Sequence, residues 1–162
     1  VFCQESGRAD DAKTYVSDAS DAKDITLGEM LQLGIDYLGD EEPFFIMCEG
    51  GDIDWESHSS FTMPMIGKVI NFDNAIAVAY EFYKAHPEET LIVVTADHET
   101  GGTGVAYKSH EVNQPEGLHL NFSTKGHTGT VVPVFAYGAG AEKFRGIFQN
   151  RELPGIIEGL MK

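Results

Sequence analysis

Apolar residues are sparse over positions 1 to 25, where acids and small residues dominate, and this stretch predicts loop or irregular structure. Regular spacing begins at Thr26. Leu27, Met30, Leu31, Gly34, Ile35 and Leu38 recur three and four apart, which gathers them on one side of a helix. Thr26 and Glu29 have the spacing of a capping box at its start, and Gly39 closes it. Phe44 to Cys48 is a short continuous apolar run that reads as a buried strand. A second helix is predicted over 63–85 from Ile66, Val69, Ile70, Ile76, Ala79 and Tyr83, with Asp73 as its polar interruption. Pro64 is tolerated in a first turn, and His86-Pro87 ends the helix. Further strands are predicted over 90–95, 118–122 and 131–136, Pro133 confining the last to an edge or bulge. Residues 151–161 read as a closing helix.

Alternating helices and strands predict an α/β fold, layered α/β/α. The strands are continuously apolar rather than alternating, which suits a mostly parallel central sheet covered on both faces. Residues 1–162 read as a single domain, long enough for a real core and without internal repeats. No apolar run approaches the roughly 18 residues that suggest a membrane span. The chain begins Val1-Phe2-Cys3-Gln4, with neither an initiator Met nor a signal-peptide pattern, and reads as a processed product or an excised piece.

Charge narrows the partners. The 26 acids against 11 Lys and Arg leave a net charge of -15, which disfavours nucleic acid and anionic membranes. Bound divalent cations are compatible with it. Cys3 and Cys48 form neither a disulfide framework nor a zinc-ribbon spacing, and Cys48, in an apolar run, reads as an inert buried thiol.

Three stretches concentrate metal-ligating side chains beside strands. In EGGDIDWESH, residues 49–58, Glu49 leaves a strand and Asp54 and His58 stand four apart. On a helical turn that spacing places both on one face, where an acid and an imidazole can share a divalent ion. Alone, such a pair is common on ordinary helix surfaces. In TADHET, residues 95–100, Asp97 and His98 follow an apolar strand that should end near Thr95, so the turn beyond it can aim both at one ion. In GHTG, residues 126–129, His127 precedes the last strand; by itself it reads equally as a turn or surface residue. His86, His110 and His119 lack a comparable setting and read as structural. Sites in open α/β sheets form beyond the carboxyl ends of strands, where such loops converge. Mixed nitrogen and oxygen donors suit Zn²⁺, and a Glu-rich oxygen site suits Mg²⁺.

Taken in order, EGGDID with His58, TADHET, and GHTGTVVPVFAYG resemble the C-terminal part of an alkaline phosphatase, over roughly residues 26–162. Cofactor-independent phosphoglycerate mutases share several of these elements; the Glu-Gly-x-x-Ile-Asp run favours the phosphatase. The resemblance implies a partial domain of the alkaline phosphatase fold, within a parent that holds two zinc ions and one Mg²⁺. It implies that Asp54, His58 and His127 hold the first zinc, that Asp97 and His98 supply part of the second site, and that Glu49 is one ligand of the Mg²⁺. It assigns Trp55 to a position that varies among family members and tunes the site near the phosphate. The implied parent is periplasmic or extracellular, acts on small phosphate esters through a phosphoserine, and allows for a homodimer.

In the family the nucleophilic serine sits in an N-terminal Asp-Ser-Ala type motif. Here Asp18-Ala19-Ser20 runs in the wrong order, and Ser57, Ser59 and Ser60 belong to the metal-ligand stretch. Arg8, Arg145 and Arg151 lack the context of the family's phosphate-gripping arginine. The expectation is a chain that is inactive alone yet able to hold one zinc. A phosphomutase of the same superfamily and a non-catalytic metal-binding α/β module are the alternatives.

Overall fold

The computed structural model describes residues 2–4, 25–39, 42–105 and 120–161. Helix α1, Leu27–Leu38, starts at the predicted capping box: the Thr26 hydroxyl accepts from the Glu29 N–H at 3.2 Å, and the Glu29 carboxylate accepts from the Thr26 N–H at 2.8 Å. Gly39 ends it at φ 70°, in the region that favours glycine. Its apolar stripe packs on helix α3, Thr62–Ala85. Leu27, Leu31 and Ala75 are buried there, with Ile46, Cys48, Phe72 and Val78 closing around them. Gly28 lies against Ala75 and Val78, so the two helices meet closely.

Between these helices the chain forms strand β2, Met47–Glu49, and helix α2, Asp52–Ser59. Strand β2 is shorter than the predicted 44–48 and ends on Glu49 itself. The Phe44 ring instead packs on Phe82 of α3, at a centroid distance of 5.5 Å. Strand β2 pairs in parallel with β1, Phe2–Gln4, which lies inside the segment predicted as irregular. Residues 5–24 lie outside the described ones, as do Asp18-Ala19-Ser20, Arg8, His110 and His119.

Strand β3, Leu91–Val94, pairs antiparallel with β8, Phe135–Gly138. The strand predicted over 131–136 therefore begins later. Pro133 offers no N–H to a ladder, and its carbonyl accepts from the Thr95 hydroxyl at 3.2 Å. Gly138 has φ 100° and sits where a Cβ would come within 2.2 Å of the Thr90 carbonyl oxygen. Two small ribbons complete the strands: β4, Glu99–Thr100, with β7, His127–Thr128, and β5, Thr103–Val105, with β6, Leu120–Phe122. Both are antiparallel. Helices and strands combine as the predicted α/β fold; among the described residues β1–β2 is a parallel ladder, and β3–β8, β4–β7 and β5–β6 are antiparallel. The chain ends with a 3-10 turn, Asn150–Glu152, and helix α4, Leu153–Leu160. Among the described residues no helix is long and apolar enough to cross a membrane.

Candidate metal centre

The site forms where α2, the bend after β3 and the β4–β7 ribbon meet. Helix α2 presents Asp54 and His58 one turn apart, and the predicted shared face is realised: His58 Nε2 lies 3.3 Å from Asp54 Oδ2. Strand β3 stops at Val94, so Asp97 and His98 fall in the bend beyond it, where strand alternation no longer applies. Antiparallel pairing of Thr100 with His127 and of Glu99 with Thr128 then carries the third stretch to the second. The His98 and His127 rings stack at 3.5 Å.

Three side chains converge closely. His58 Nε2 and His127 Nε2 are 3.1 Å apart, and His127 Nε2 lies 3.4 Å from Asp54 Oδ1. Among the described residues the three side chains whose ligand atoms all lie within 4.8 Å of one another are Asp54, His98 and His127, a group that omits His58 and crosses the expected division between the two zinc sites. His98 Nε2 also lies 3.2 Å from the carboxylate of Asp97, whose side chain is 85% exposed. Glu49, exposed at the end of β2, stands outside this group of converging donors. Trp55, next to Asp54 on α2, is 53% exposed.

The surroundings orient these donors. His58 Nδ1 meets the Lys125 carbonyl oxygen at 2.5 Å. A carbonyl can only accept, so Nδ1 carries a proton, which leaves Nε2 as the nitrogen turned toward the cluster. The Thr100 hydroxyl donates to Asp54 Oδ1 and lies 3.2 Å from His98 Nδ1. Glu99 accepts from the Thr128 hydroxyl, the Thr103 N–H and the Gly102 N–H. Those bonds, led by Thr128, hold its carboxyl below the ordinary Glu value. The Asn150 amide donates to the Asp97 carbonyl at 2.5 Å, tying the C-terminal turn to the bend. Thr100, Lys125, Glu99 and Asn150 were not singled out by the sequence. The one signal for Thr100 is its place two residues past His98, opposite another His-Thr pair.

The alkaline phosphatase family profile matches residues 9–120, a stretch that includes Glu49, Asp54, His58, Asp97 and His98 but stops short of His127. The chain is 28% identical to alkaline phosphatase 4 of Bacillus subtilis (strain 168), over 88% of its own length and 45% of the relative's. The alkaline phosphatase of the Antarctic bacterium TAB5 superposes with a TM-score of 0.78 at 32% identity, covering 99% of this chain and 52% of that one. A mutant of the TAB5 enzyme solved with Mg bound superposes with a TM-score of 0.76 at 39% identity, over 83% of this chain and 41% of that one. The chain thus spans about half the length of these relatives.

Proposed function

Because the chain belongs to the alkaline phosphatase family, we propose that it is the metal-binding part of a zinc- and magnesium-dependent phosphomonoesterase acting on small phosphate esters. The convergence of Asp54, His58 and His127 carries this reading. A tetrahedral ion bonded at about 2.0–2.1 Å sets its ligand atoms roughly 3.3 Å apart. The nearest approaches have that scale: 3.1 Å between His58 Nε2 and His127 Nε2, 3.3 Å from His58 to Asp54 Oδ2 and 3.4 Å from His127 to Asp54 Oδ1, the two histidines facing different oxygens of one carboxylate. His58 Nε2 faces an imidazole nitrogen and a carboxylate oxygen at those distances. A divalent cation shared by these donors is consistent with that spacing.

In this reading Asp54, His58 and His127 hold the first zinc, Asp97 and His98 supply part of a second site, and Glu49 is one ligand of a Mg²⁺. The bound ions would supply Lewis acidity toward phosphoryl oxygens and neutralise developing charge. The chain's own residues do the orienting. Lys125 fixes the His58 tautomer, and Thr100 holds one oxygen of Asp54 toward His127. Asn150 tethers the backbone at Asp97, and the exposed indole of Trp55 stands beside Asp54, where a phosphate ester would approach. The nucleophilic serine, the remaining acid of the second site and the phosphate-gripping arginine would come from a segment outside these 162 residues. The parent would work in the periplasm or outside the cell.

The test pairs zinc titration with hydrolysis of an aryl phosphate, on the purified chain and on Asp54→Asn and His58→Ala variants. About one zinc per chain, lost in both variants, with no hydrolysis, is the expected result. Absence of zinc uptake by the unaltered chain would sink the metal reading. Robust hydrolysis by this chain alone would sink the division of labour with a second segment.

A further inference from the structure

Helix α2 carries two of the three converging donors, yet it has little with which to hold itself in place. Its eight residues, Asp-Ile-Asp-Trp-Glu-Ser-His-Ser, include two large apolar side chains, Ile53 and Trp55, and Trp55 is largely exposed. Gly51 at its start offers no side-chain cap. The face turned to α3 is polar instead. Asp52, the first residue of α2, accepts from Lys68 Nζ of α3 at 2.6 Å, and both side chains are less than one-fifth exposed, at 16% and 19%. Glu56, one turn further along, is 8% exposed. Burial pushes its carboxyl up, while the charge of Lys68 and, in the other sense, that of Asp52 act on it.

We propose that the Asp52–Lys68 ion pair is a positioning device for the metal centre, fixing α2 on α3 so that Asp54 and His58 meet His127. The proposal rests on the metal reading above. Asp54 is two residues from Asp52, and its two oxygens serve different partners: Oδ2 faces His58, while Oδ1 faces His127 and Thr100. A rotation or slide of α2 would keep the first contact, which is internal to the helix, and break the second. Internal contacts of α2 therefore cannot set the aim of Asp54 across to the ribbon. The pair to α3 can. An ion pair this shielded from water is directional, and removing either partner also changes the charge balance around the buried Glu56, which feels both. At the entry to α2, Gly50 lies so close to Phe72 that a Cβ would come within 2.9 Å of the ring. Two contacts on α3, one steric and one ionic, thus fix the start of α2.

The experiment measures zinc affinity by chelator competition, together with the visible absorption of the Co²⁺-substituted site. The proteins are the unaltered chain, Lys68→Met, Asp52→Asn, the double variant and Lys68→Arg. Each single charge-removing variant should weaken zinc binding about tenfold, as loss of a group that orients metal ligands does. Their Co²⁺ spectra should shift from the tetrahedral pattern while far-ultraviolet circular dichroism stays unchanged. The double variant should be no worse than either single one, and Lys68→Arg should bind as the unaltered chain does. Should Lys68→Met fail to fold, the near-isosteric Asp52→Asn decides. Folded variants with unaltered zinc affinity and Co²⁺ spectrum, or losses that simply add in the double variant, would overturn the positioning role while leaving the metal centre standing. An unaltered chain that binds no zinc would overturn both.

Discussion

Thr100 sits where the two histidine stretches and α2 meet, giving its hydroxyl proton to Asp54 and lying 3.2 Å from His98 Nδ1. Thr100→Val keeps the shape and removes the hydroxyl, so Asp54 loses a fixed orientation for one oxygen. Zinc affinity is expected to fall about tenfold, read by chelator competition, with the fold retained. Gly138 is a second residue whose identity matters: with φ 100° and the Thr90 carbonyl oxygen in the way of any Cβ, Gly138→Ala strains the β3–β8 ladder. A loss of about 1–3 kcal/mol is expected in urea unfolding. Asp54 with His58 and Asp97 with His98 were legible as candidate ligands because few residue types bind metals and because each pair is close in sequence. His127, 69 residues from His58, was a candidate only through the family resemblance. Thr100, Lys125 and Asn150 were not legible. A hydroxyl, a carbonyl and an amide are found everywhere, and only tertiary placement gives these their roles.

Helix α1 shows how fully a local code can specify an element. Its cap, apolar stripe and glycine stop all act within a few residues, and all three are realised. Thr26→Ala should cost about 1 kcal/mol in chemical unfolding. The partner acid adds a pH dependence. Hydrogen bonds from the Thr26 N–H and then its hydroxyl hold the Glu29 carboxyl below the ordinary value. A value depressed on folding contributes stability that is complete above the unfolded value and is lost as the pH falls through the folded one. Glu29→Gln is therefore expected to flatten the fall of stability with acid, measured by unfolding across the acidic range. Helix α3, bounded by Pro64 near its start and His86-Pro87 at its end, was equally legible. The β4–β7 ribbon was not, since a two-residue strand carries no period and gains its meaning from what it pairs with. The late start of β8 has a similar origin, because Pro133 permits a strand on paper but offers no N–H to the ladder.

The whole molecule carries a net charge of -15, and a cation taken up among these acids and imidazoles would offset part of that self-repulsion. Folding and metal binding are then linked. At free zinc one hundred times its dissociation constant, the folded chain should gain about 2.7 kcal/mol, seen as a higher midpoint in thermal unfolding and abolished by a chelator. An unchanged midpoint would mean that the folded chain has no preference for the ion. The same linkage gives these converging donors a further use. Asp54 and His58 stand one helical turn apart in any chain that forms α2, whereas His127 reaches His58 from 69 residues away. Closing a loop of that length rather than one of four costs about 2.5 kcal/mol more in chain entropy. Local helix formation can deliver two donors but never the third. Tight zinc occupancy would therefore report that the segment carrying His127 has docked against α2, and not merely that α2 has formed.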